Sequence, residues 1–107
     1  MNHVTLVGNL TKNPELRGEN HNVCTMSLAT NRREKVQGEW STITDFHRIV
    51  VFGKRARTCA EHLTKGAKVA IGGRLSSRSF TRDDGSTGTS VEVVASNVQF
   101  FLPARGE

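Results

Sequence analysis

At 107 residues the chain has room for one domain with a core of its own and too little for two independently stable units. Hydrophobic residues at 36% and charged residues at 23% are the balance of a globular protein, and no apolar run approaches the roughly 20 residues that a membrane helix needs. The net charge of +5 is regional, because Phe46 to Arg82 holds nine bases and the single acid Glu61, whereas the remainder holds six bases against nine acids. Such a segment is the electrostatic footprint of a polyanion binder. The start, Met1-Asn2-His3-Val4-Thr5-Leu6, has neither a basic leader nor a continuous apolar segment, so a cytoplasmic location is expected.

His3 to Leu10 reads as a first strand with Val4, Leu6, Gly8 and Leu10 on one face, and a glycine inside a strand predicts a bulge, a bend or a close backbone approach. Thr11 to Pro14 breaks it, and Pro14 to Gly18 makes a turn or a short edge segment. Val23 to Thr30 is a second strand whose Cys24, Met26 and Leu28 look inward. Asn31 to Ser41 is a mostly polar connection and reads as a long hairpin loop, its Trp40 either folded back on the sheet or offered to a ligand.

Thr44 to Phe52 is the central strand. Alternation sets Ile49 and Val51 with His47 on one face and Phe46, Arg48, Val50 and Phe52 on the other. Two phenylalanines flanking an arginine suit nucleic-acid bases and phosphates; the competing reading buries both rings under a loop or helix while Arg48 snorkels. From Lys54 the period changes: Ala56, Cys59, Ala60 and Leu63 recur at helical spacing, and Gly66 is placed as the stop of a helix that plugs a barrel.

Ala67 to Phe80 is a strand with Val69, Ile71, Gly73 and Leu75 on one parity and Arg74, Arg78 and Phe80 on the other, unless a bulge at Gly72-Gly73 shifts it. Thr81 to Gly88 is a hairpin tip signalled by Asp84-Gly85, with Asp83 and Asp84 read as turn chemistry. Ser90 to Leu102 is the last strand, closed by Pro103. Five strands with one short helix between the third and fourth are the element order of an all-β OB-fold, a Greek-key barrel whose face binds oligonucleotides or sugars. The domain is expected over 1–103, followed by a short tail at 104–107.

No nucleophile motif, phosphate loop or dinucleotide fingerprint occurs, so neither an enzyme nor a cofactor is expected. Cys24 and Cys59 have no CxxC spacing and the four histidines are scattered, so free thiols and no metal site are expected. Phe46, Arg48 and Phe52 on one strand, with Arg78 and Phe80 on another, supply both tools of single-strand binding, a cationic path and stacking faces. The one helix is committed to the barrel, which argues against reading a duplex.

In order along the chain, Val4-Thr5-Leu6-Val7-Gly8-Asn9-Leu10, Asn13-Pro14-Glu15-Leu16-Arg17, Leu28-Ala29-Thr30, Asp45-Phe46-His47-Arg48, Val51-Phe52-Gly53-Lys54, Lys65-Gly66, Gly73-Arg74-Leu75, Asp84-Gly85 and Glu92-Val93-Val94-Ala95 resemble the bacterial single-stranded DNA-binding proteins. The resemblance implies a homotetramer, with a dimer as the alternative. It would wrap single-stranded DNA without strong sequence preference during replication, recombination and repair, in the cytoplasm and associated with the nucleoid. It implies that Phe46, Phe52 and Phe80 stack bases, that Arg48, Lys54, Lys65 and Arg78 line the DNA path, and that His47 lies at a subunit interface. Arg74, Arg32, Arg33 and Trp40 join the candidate contacts. Phe46 and Phe80 stand where tryptophan is frequent. The family's further aromatic has no counterpart at Asn31-Arg32-Arg33, and whether Trp40 replaces it is open. Because the chain ends at Pro103-Ala104-Arg105-Gly106-Glu107, recruitment of other proteins through an acidic tip is not expected. The rival readings are an OB-fold adaptor acting in replication restart and an RNA-binding module.

Overall fold

The computed structural model describes residues 1–101; the expected boundary at Pro103, the tail at 104–107 and the predicted strand end at Leu102 lie outside the described residues. Its elements are β1 (Val4–Leu10), β2 (Glu15–Arg17), β3 (Val23–Val36), β4 (Glu39–Phe52), α1 (Lys54–His62), β5 (Lys68–Thr81) and β6 (Thr87–Phe100). The sheet runs β1-β5-β6-β4-β3 and closes on itself where Asn9 and Leu10 of β1 pair with Ala29 and Leu28 of β3. β4 and β6 pair in parallel, Ile49 opposite Val93, and the other pairs are antiparallel. This is the OB-fold barrel expected from the element order, with the Pro14–Gly18 edge segment realised as β2 on the flank of β3.

Alternating apolar residues make the core. Leu10, Cys24, Met26, Leu28, Ile49, Val51, Val69, Ile71 and Val93 are buried inside the barrel, and Ala56, Cys59 and Leu63 of the helical segment close one end. Barrel closure brings backbones together at two glycines. A Cβ on Gly8 would strike the Ala29 carbonyl, and one on Gly73 would strike the Val94 carbonyl. The predicted irregularity at Gly72-Gly73 is present, but the extra residue is Ser96 on β6. Gly72 pairs with Asn97 and Gly73 with Ala95, so parity flips on β6, while Arg74, Arg78 and Phe80 keep one face of β5.

Three expectations need correction. Asn31 to Ser41 is a continued ladder and not a loop: Lys35 pairs with Trp40 and Val36 with Glu39 around Gln37-Gly38. Both turn residues have positive φ, 51° and 84°, the backbone that lets a two-residue connection follow the strand twist. The helix ends at His62, because the Leu63 N–H makes the last helical bond to the Cys59 carbonyl and Leu63 then turns extended to bury its side chain. Gly66 therefore lies in the following turn, where its N–H is held by the Leu10 carbonyl. Leu75, on the parity of Val69 and Ile71, is half exposed although its partner Val93 is buried, because β5 has by then run past its pairing with β1, which ends at Gly73. Among the described residues no helix is long and apolar enough to cross a membrane.

Candidate nucleic-acid interface

The face of the sheet that turns away from the core is continuous over four strands. Register puts Thr25, Ser27, Ala29, Asn31, Arg33 and Lys35 of β3 beside Trp40, Phe46, Arg48, Val50 and Phe52 of β4. Across the parallel pairing the same face takes in Glu92 of β6 and then Arg74, Ser76, Arg78 and Phe80 of β5. The aromatic rings on it are open to solvent: Phe46 is 68% exposed, Trp40 61%, Phe52 50% and Phe80 45%. Among the described residues no loop or helix covers Phe46 or Phe52, which removes the competing reading of the central strand. Exposed rings at this density cost solvation and serve nothing in the core of the single chain.

Two shallow grooves run along this face. One of about 300 Å3 lies between Lys12, Arg17, Ser27, Phe46, His47 and Arg48, and its neighbour of about 270 Å3 between Arg17, Val23, Val50, Phe52, Arg78 and Glu92. Arg17 and Arg48 line both. Arg17 and Lys12 were not legible as groove residues, because only the pairing of the three-residue β2 with β3 brings Arg17 alongside. Arg17 donates through Nε to Thr25 Oγ1 at 3.4 Å and pairs with Glu15 at 2.9 Å. Glu92 was also missed as a partner. It is buried, with Oε2 3.3 Å from Arg48 Nε and Oε1 3.3 Å from Arg78 Nη2.

Away from the barrel, the β3–β4 and β5–β6 hairpins project as two arms, and each carries an arginine over an aromatic ring. Arg33 lies 5.9 Å from the Trp40 ring centre and Arg82 lies 5.2 Å from that of Phe80. Phe80 also covers Gly88, its cross-strand partner, since a Cβ there would meet the ring and the Arg82 guanidinium. At the tip the Ser86 hydroxyl and N–H both bond Asp84 Oδ1, which holds that carboxylate below its usual range. Asp84 thus does the turn work that its sequence context suggested.

The remaining nominated residues are distributed unevenly. Arg74 shares the outer face, opposite Val94. Lys54 opens α1 directly after Phe52-Gly53, and Lys65 stands in the turn after α1, its backbone N–H held by Asn13 Oδ1; neither is on the sheet. Arg32 is on the opposite face of its arm from Arg33, where Asp45 and Glu34 each bond it at 2.8 Å and raise its already high pKa. His47 is half-buried at the rim of the larger groove, hydrogen-bonded to Thr30 Oγ1 at 2.8 Å. Burial raises the pKa of both thiols, that of Cys59 to about 11, so neither is a poised nucleophile. Among the described residues no cluster of His, Cys, Asp and Glu is arranged to hold a metal ion.

The model of the single-strand binding protein family matches residues 1–101. Single-stranded DNA-binding protein 3 of Clostridium acetobutylicum is 41% identical over 104 residues, covering 94% of this chain and 71% of the relative. The mitochondrial single-stranded DNA-binding protein of Drosophila melanogaster is 37% identical over 107 residues, covering 97% and 73%. Among solved structures, the Plasmodium falciparum SSB in complex with ssDNA superimposes with a TM-score of 0.85 at 27% identity, covering 94% of this chain and 95% of that one. An OB barrel of this topology, matched along its whole described length, belongs to the single-strand binding protein family, a family of binding proteins and not of enzymes.

Proposed function

We propose that the chain binds single-stranded DNA without strong sequence preference across the outer face of β3, β4, β6 and β5, protecting it during replication, recombination and repair. The observation that carries this reading is the exposure of Phe46, Phe52 and Phe80 on one face that also carries Arg48, Arg74 and Arg78. Every base has a π-face, so a ring accepts any of them, at about 1–3 kcal/mol per stacked base, while the arginines follow the phosphates. Lys54 and Lys65 would extend the cationic path beyond the sheet. The protein would act as a homotetramer in the cytoplasm, with the half-buried His47 at a subunit interface.

Anisotropy of a labelled oligothymidine tests the reading directly. Tight binding is expected, with duplex of equal length bound far more weakly, and with log affinity falling by about 0.7 per log unit of salt for each phosphate neutralised. Equal affinity for duplex, or a flat response to salt, would overturn it. Equal affinity for RNA of the same length would instead assign the face to RNA.

A further inference from the structure

Two of the arginines on the binding face are not independent cations. Glu92 is 6% exposed, and its two oxygens go to different guanidiniums, Oε2 to Arg48 Nε and Oε1 to Arg78 Nη2. The three converge through sheet register. The parallel pairing of β4 and β6 at Ile49 and Val93 sets Arg48 next to Glu92 one residue earlier. The antiparallel pairing of β6 and β5 puts Ser76 opposite Glu92 and Arg78 at the diagonal position. A carboxylate buried to this degree is costly unless it is paired, so the two arginines are what permit it on this face. Both keep most of their side-chain surface and most of their N–H donors turned to solvent.

We infer that Glu92 is a positioning residue of the binding face: it holds the Arg48 and Arg78 guanidiniums side by side between Phe52 and Phe80 and limits their joint charge to +1. This rests on the proposed function and refines it. Where two free arginines would neutralise two phosphates, the triad neutralises one, and stacking carries the larger share of the contact. The arrangement weakens salt-dependent grip without removing the directional donors that orient a backbone.

The experiment is the salt dependence of oligothymidine binding by the wild type, E92Q, R78M and the R78M/E92Q double variant. The slope tracks the triad's net charge. E92Q steepens it by about 0.7, so that raising salt from about 50 to 200 mM costs E92Q about 2.6-fold more affinity than it costs the wild type. R78M, whose Arg48 is then fully neutralised, flattens the slope by about 0.7, and R78M/E92Q returns it to the wild-type value. A purely structural glutamate would alter stability and leave the slope of E92Q equal to that of the wild type; that result overturns the inference. If the amide of E92Q, forced against Arg78, prevents folding, the pair R78M and R78M/E92Q decides alone, and equal slopes in those two overturn it. A wild type that fails to bind single strands overturns the underlying function instead.

Discussion

The closed end of the barrel and the two hairpin arms are made from the same four long strands, yet they obey different rules. Inside the barrel each strand sends alternate residues into one core shared with the helical segment. Beyond it, β3 from Asn31, β4 before Ile43 and β5 from Ser77 to Thr81 are exposed on both faces. The arms are two-stranded ribbons held by backbone ladders, cross-strand pairs and arginine–aromatic stacks, with no buried apolar face. Stability resides in one region, and the proposed DNA-binding face extends into the other. Substitutions should therefore separate the two properties.

The largest effect is expected in the barrel. Leu28 is fully buried, and Leu28→Ala removes its contacts from a core that relaxes only in part, for a loss of about 2–5 kcal/mol in stability. Thermal or denaturant unfolding measures it, and oligothymidine affinity well below the transition should be unchanged. An equal loss of affinity in the folded variant would mean that barrel and face are not separable.

Phe52→Ala comes next and reverses the pattern. The ring is half exposed, so its removal should cost about 1–3 kcal/mol of binding, roughly a 5- to 150-fold rise in Kd, with little change in melting temperature. Phe80→Ala tests the same property on the β5–β6 arm. A fall in stability matching the loss of binding would return Phe52 to the core.

A smaller effect comes from the thiol at the helix end of the barrel. Burial raises the pKa of Cys59 to about 11 from 9.0, so the folded chain holds its proton where the unfolded chain has lost it. That contribution is fully present below pH 9 and is lost as the pH climbs through 11, reaching about 1 kcal/mol near pH 10. Melting curves across this window should show the decline, and Cys59→Ala should flatten it. A decline of unchanged size in the variant would assign the alkaline sensitivity elsewhere.

This division also explains what the sequence made legible. Cys24, Met26 and Leu28, Ile49 and Val51, and Val69 and Ile71 alternate because one side of each strand is buried, so the barrel could be read from period two alone. The β3–β4 arm has no such signal. Residues 31–41 carry polar side chains on both faces with Val36 and Trp40 the only large apolar ones, and the turn is Gln37-Gly38 and not the Asn-Gly or Asp-Gly pair that announces a hairpin, so a strand pair read as a loop. The same strand register carries the site. Phe46, Arg48 and Phe52 were visible on one face within a single strand, whereas the joining of Glu92 to Arg48 and Arg78 depends on pairing between strands distant in sequence.

The smallest effect distinguishes two neighbours on the β3–β4 arm that composition cannot tell apart. Arg32 and Arg33 are adjacent, but alternation sends Arg33 to the outer face over Trp40 and Arg32 to the reverse face, against Asp45 and Glu34. Arg32 and its two carboxylates lie on the face turned away from the proposed DNA path, whereas Arg33 lies on that path and has no carboxylate partner among the described residues. Arg33→Ala should therefore flatten the salt slope of oligothymidine binding by about 0.7, and Arg32→Ala should leave it nearly unchanged. Equal slopes for the two variants would mean that the arm contributes only diffuse charge. A larger change for Arg32→Ala would mean that the DNA runs along the reverse face, and that the Arg33–Trp40 stack is turned away from it.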